Sequence, residues 1–151
     1  MKRTNIRLKI CIFLLICNLA FIWGNSLLPA ELSQAFSDWV KGTLFGMVSE
    51  GDSGEAGSTL VRKLAHFTEF AALGMLLRWL FGMLGRTGIP AFACGAAAAC
   101  IDETIQMFVP ERGPGILDVL LDCSGVLAGM LLLHLGHTYI QKKTNYNHSE
   151  E

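Results

Sequence analysis

The chain alternates between long uncharged runs and short polar stretches. No charged residue occurs from Ile10 to Ala30, a run of 21 residues. An α-helix that long rises about 30 Å, which matches the hydrocarbon thickness of a bilayer. Three further apolar stretches follow the same pattern. Together they predict four spans, at about 10–28, 64–84, 89–109 and 116–136. The expected fold class is all-α: one domain, residues 1–151, forming a four-helix polytopic membrane bundle. A cleavable signal peptide has a shorter apolar region and a small-residue cleavage site. The Ala30 region offers no clear A-x-A, so the first segment is expected to be retained as a membrane helix.

The connection between the first two spans has two parts. Leu32, Phe36, Trp39, Val40, Thr43 and Met47 recur at near-helical spacing. They predict an extracytoplasmic amphipathic segment, lying in the interface or capping the bundle. SEGDSGEAGS, residues 49–58, is rich in Gly and Ser and reads as a flexible loop. The polar tail 144–151 is expected to be disordered. No internal repeat stands out.

Basic residues set the expected orientation. Lys2, Arg3, Arg7 and Lys9 precede the first span, Arg86 lies between the second and third, and Lys142 and Lys143 follow the fourth. In a four-span chain these places share one side. Both termini are therefore expected in the cytoplasm, with the 29–63 connection and the 110–114 turn outside. Arg62 and Lys63 run against this bias, at the outer edge of the second span.

Composition agrees with a membrane setting. Charged residues make up 17%, against about 25% in soluble proteins. A net charge of -1 and the lack of a long basic cluster give no reason to expect nucleic acid. The cysteines are Cys11, Cys17, Cys94, Cys100 and Cys123, and none forms a C-x-x-C pair. They are expected to be small buried residues rather than zinc ligands or disulfides.

Against this apolar background, CIDETIQMFVPERGPGILDVLLDC, residues 100–123, concentrates carboxylates. The third span has only 15 uncharged residues, from Thr87 to Ile101. That length covers about 23 Å, too short to cross the apolar layer. Asp102 and Glu103 are therefore expected at or below the outer interface. On the second span, Arg62, His66 and Glu69 share a helix face. Glu69 lies about 9 Å deeper than Lys63 at 1.5 Å per residue. Asp102 and Gln106 share a face with Gly95, Ala98 and Ala99. Asp118 and Asp122 share one with Gly125 and Gly129.

Small residues let helix backbones approach closely. These faces are expected to meet, leaving the polar residues around one outward pocket. Arg62, Lys63, His66, Glu69, Asp102, Glu103, Gln106, Arg112, Asp118 and Asp122 are the candidate lining. Arg78 is expected to snorkel towards the inner interface beside Trp79. His134 and His137, near the inner end of the last span, read as interface decoration.

Several chemistries fit such a pocket. Carboxylates and an imidazole could hold a divalent cation, which could bind or cleave a lipid-linked phosphate. Arg62, Lys63 and Arg112 could hold an anionic headgroup. Proton or cation movement is disfavoured, because the inner half is mainly Leu, Gly, Ala and Met. A purely structural network that fixes helix register is the plain alternative. No nucleophile elbow, Walker loop or dinucleotide fingerprint occurs. No catalytic residue, cofactor, metal or oligomeric state follows from the residues alone.

Three stretches, NSLLPAELSQAFS from Asn25, RKLAHFTEFAALGMLL from Arg62 and DETIQMFVPERGPGILDVLLDCSGVLAG from Asp102, resemble the VanZ-like membrane proteins. The family pattern is approximately R-K-x-x-H-F-x-x-[YF], D-E-x-x-Q-x-x-x-x-x-R and D-x-x-x-[ND]-x-x-G-x-x-x-G. It carries over to Arg62, Lys63, His66, Asp102, Glu103, Gln106, Arg112, Asp118, Gly125 and Gly129. Asp122 stands where the family often has Asn. Glu69 is added by helix geometry alone. The resemblance implies a multi-pass protein of the bacterial cytoplasmic membrane. Its namesake is linked to low-level resistance to teicoplanin, and no enzymatic activity is established across the family. The implied partners are membrane lipids, a lipid-linked cell-wall precursor or a glycopeptide.

Overall fold

The computed structural model describes residues 2–29, 35, 55–110 and 115–147. Four helices account for nearly all of them: α1 (Lys2–Ser26), α2 (Glu55–Met83), α3 (Gly88–Gln106) and α4 (Ile116–Asn147). No strand occurs among the described residues, so the fold is all-α. Stretches of α1, α3 and α4 are long and apolar enough to cross a membrane. α2 carries Glu69 and Arg78 within its apolar stretch and is not among these three.

Two boundaries differ from expectation. α2 begins at Glu55, so the end of the expected 49–58 loop is helical. α4 runs to Asn147, which makes the first residues of the expected disordered tail helical as well. In both places the helix extends beyond the apolar pattern, because a polar stretch carries no apolar periodicity to read. Apart from Ala35, the amphipathic segment lies outside the described residues, as do the 111–114 turn and the end of the tail.

α2 and α4 form the most extensive contact, and α1 and α3 pack beside them. The core is built from Cys11, Leu15 and Ile22 of α1, Phe70, Leu73 and Leu77 of α2, Ala91, Ala98 and Ala99 of α3, and Val126 of α4. Small residues make the close approaches. A side chain at Gly125 would meet the Phe67 carbonyl, one at Gly129 the Ala71 carbonyl, and one at Gly74 the Val126 carbonyl. A side chain at Gly95 would meet the Val126 side chain. The α4 glycines thus seat against α2, while Gly95 of α3 seats against α4. Gly74, absent from the sequence reading, completes the α2–α4 seam.

α2 turns into α3 through Gly85, whose φ is 68°. The Gly85 and Arg86 N–H groups donate to the Gly82 and Phe81 carbonyls. That pair closes the end of α2 as a Schellman motif, which needs a left-handed residue at this place.

Large apolar side chains point outwards, among them Phe13, Phe21 and Phe108, while carboxylates are buried. This inversion suits a bundle whose solvent is lipid. It also corrects one expectation: Cys17, Cys94 and Cys100 are exposed, Cys123 is half-buried, and only Cys11 is buried. A small apolar residue has no need to face inwards when the surroundings are hydrocarbon.

Candidate functional site

The polar residues gather where α1 and α3 end and α2 and α4 begin. Two depths are apparent on three helices. Lys63, Gln106 and Asp118 occupy the outer layer. His66, Asp102 and Asp122 lie three or four residues further in, about 5–6 Å deeper. A small cleft of about 290 Å³, its open mouth included, is lined by Arg62, Lys63, His66, Gln106, Asp118, Leu121 and Asp122. Leu121 is the apolar member that sequence reasoning did not nominate.

At the mouth, Lys63 Nζ stands 3.6 Å from an Asp118 oxygen, with both side chains partly exposed. Arg62 lies beside them and lines the cleft. It has no ion-pair partner among the described residues. Arg112, expected at the same level, lies outside them.

Beneath the cleft is Asp102, 0% exposed. The Ser26 hydroxyl donates to its Oδ1 at 2.6 Å. The Gln106 amide donates to its Oδ2 at 2.8 Å and reaches the Ser26 oxygen at 3.4 Å. His66 Nδ1 lies 3.8 Å from Asp102 Oδ2. One carboxylate thereby ties the end of α1 to α3 and faces an imidazole of α2. The i, i+4 spacing on α3 makes the Gln106–Asp102 bond local. The Ser26 bond, by contrast, joins residues far apart in sequence. Asp122 completes the layer from α4 at 1% exposure, and its Oδ1 is buried with no hydrogen-bond partner.

Two expected lining residues point elsewhere. Glu69 accepts a hydrogen bond from the Asn25 amide at 3.1 Å, so its carboxylate turns towards α1. His66 and Glu69 are three positions apart, which is an offset of about 60° around the helix. That angle is enough to send them to different neighbours. Glu103 accepts a hydrogen bond from the Gly115 N–H, and so ties the end of α3 to the start of α4. Neither residue lines the cleft. Asn25 and Ser26 bond to the Glu69 and Asp102 carboxylates and are not among the residues the sequence singles out. Their signal was the polar pair closing the uncharged first span.

At the opposite end of the bundle, Arg78 reaches along α2 towards Gly82, away from the cleft. His134 and His137 are exposed.

No curated protein matches the chain, and no solved structure does. The family model described as VanZ/LLP1 matches residues 11–137, a stretch that takes in the Arg62, Asp102 and Asp118 motifs and most of all four helices. On that evidence the chain belongs to the VanZ/LLP1 family of membrane proteins.

Proposed function

We propose that this protein binds the anionic headgroup of an envelope lipid or lipid-linked cell-wall precursor, and through it modulates glycopeptide susceptibility. The observation that carries this reading is Arg62, a cation at the mouth of a polar cleft with no ion-pair partner among the described residues. A guanidinium offers several donors in a planar fork that matches phosphate. Lys63 adds a second positive charge, and the apolar outer surface of the bundle keeps the cleft beside lipid. In this reading all four helices span a bacterial cytoplasmic membrane. Both termini face the cytoplasm, following the basic residues at the far end of the bundle. The cleft then opens on the side where teicoplanin acts.

A second reading is an enzyme acting on a lipid-linked phosphate. The His66–Asp102 approach favours it, because a histidine oriented by a carboxylate suits proton transfer. A structural bundle is the third reading, in which pocket substitutions change stability alone.

The test is teicoplanin susceptibility of a sensitive bacterial host expressing wild type, Asp102→Asn, Asp118→Asn or Glu69→Gln, with membrane levels measured in parallel. Protection by wild type that well-expressed Asp102→Asn and Asp118→Asn lose supports a functional cleft. Equal protection by all four proteins removes the cleft from that activity. No protection by wild type removes the susceptibility role for this chain.

A further inference from the structure

Below the cleft, one side chain from each of α2, α3 and α4 converges on a single point. A ligand atom from His66, one from Asp102 and one from Asp122 all lie within 4.8 Å of one another. All three residues are buried. Ligands on a tetrahedral ion with bonds of about 2.0–2.1 Å stand about 3.3 Å apart. Side-chain rotations that close these gaps by about 1.5 Å or less would bring the three into coordination.

A second observation points to a ligand. Asp122 is 1% exposed, and its Oδ1 has no hydrogen-bond partner. A carboxylate oxygen removed from water and left without a donor is costly. Asp102 lies in the same layer, and two carboxylates out of water call for a compensating positive charge. Arg62 and Lys63 sit at the mouth, one layer above. A cation between His66, Asp102 and Asp122 would supply that charge to the Asp122 carboxylate.

We propose that His66, Asp102 and Asp122 form a site for one first-row divalent cation, Zn²⁺ or Mn²⁺, at the floor of the cleft. The donor set is one imidazole nitrogen and two carboxylate oxygens, which suits these ions better than thiolate-seeking Cu(I) or the all-oxygen shells of Ca²⁺ and Mg²⁺. Ser26 and Gln106 already donate to Asp102, as outer partners commonly do for metal-bound carboxylates. Three protein ligands leave at least one coordination position for an oxygen from the cleft, either water or phosphate. The site rests on these ligands and not on headgroup binding by Arg62.

The experiment uses the full chain, without a histidine tag, in lipid nanodiscs. The protein is stripped with a chelator and titrated calorimetrically with ZnCl₂ and with MnCl₂, and bound metal is counted by mass spectrometry. One equivalent per chain is expected for at least one of the two ions. Asp122→Asn, nearly the same shape, is expected to weaken that binding at least tenfold while its thermal melt confirms a folded bundle. Gln106→Ala, which touches no metal, is expected to weaken it about 10- to 100-fold through loss of Asp102 orientation. A His134→Gln/His137→Gln double variant is expected to bind as wild type does. No stoichiometric binding of either ion by folded wild type overturns the site. Binding that Asp122→Asn and His66→Gln, tested alongside, both leave unchanged also overturns it. Polyprenyl phosphate binding by the same stripped protein is read separately, so failure of the metal site does not mimic failure of the headgroup reading.

Discussion

The contact between α2 and α4 is built differently at its two ends. In the deeper half, Gly74, Gly125 and Gly129 bring backbone against backbone. In the outer half, Lys63 faces Asp118 across an ion pair, and His66 gathers with Asp122 and Asp102. The deep half gains its stability from close packing, the main source of helix association where lipid competes for apolar contacts. The outer half buries carboxylates, which cost stability in a membrane segment unless paired. Gly125 lies one turn inside Asp122, so the packed half sets the helix spacing that the polar half uses. The glycine seam builds the frame, and the carboxylates spend some of its stability on a site.

The largest expected effect comes from forcing the frame apart. Gly129→Val would press a branched side chain into the Ala71 carbonyl, where neither backbone can yield. We expect destabilisation of at least about 1–3 kcal/mol, seen as loss of detergent-stable protein and a lowered denaturant midpoint. Retained stability would show that the two helices do not meet as described. Gly125→Ala is the sharper version. Its Cβ meets the Phe67 carbonyl, which should wedge α2 from α4 just below the cleft. Cleft binding should then fall more than the midpoint does.

Ser26→Ala comes next. It removes the donor to Asp102 Oδ1, at a cost of about 0.6–1.7 kcal/mol on the scale of hydrogen bonds within membranes. Equilibrium unfolding in mixed micelles measures it. A change indistinguishable from zero would mean that α1 is not tied to α3 through this pair. The smallest effect belongs to Lys63→Gln. The Lys63–Asp118 pair is partly exposed, and such pairs contribute about 0.2–1 kcal/mol. Stability should hardly move, and a loss well above that range would place the pair in a less solvated setting than its exposure indicates.

How far the sequence could be read follows the same division. Apolar stretches located the helices, because a bilayer sets a length that such a stretch must match. The short run before Asp102 set it apart from the apolar stretch, and the i, i+4 glycines revealed the close face of α4. What was hidden depended on partners in other helices. Gly74 became visible only opposite Val126. Ser26 looked like the end of a span until Asp102 met it. Glu69 and His66 share a helix face, yet a 60° offset sends them to different neighbours. The outward cysteines show the same limit, since apolar character does not reveal whether a residue faces protein or lipid.

Headgroup binding by the cleft through Arg62 can be tested directly. The most direct measurement is binding of a short-chain polyprenyl phosphate to the full chain in nanodiscs, comparing wild type with Arg62→Gln and using the uncharged polyprenyl alcohol as control. If Arg62 holds the headgroup, wild type binds the phosphate saturably, a folded Arg62→Gln protein binds it at least tenfold more weakly, and neither binds much of the alcohol. Equal binding of phosphate and alcohol, or binding that Arg62→Gln leaves unchanged, would contradict it.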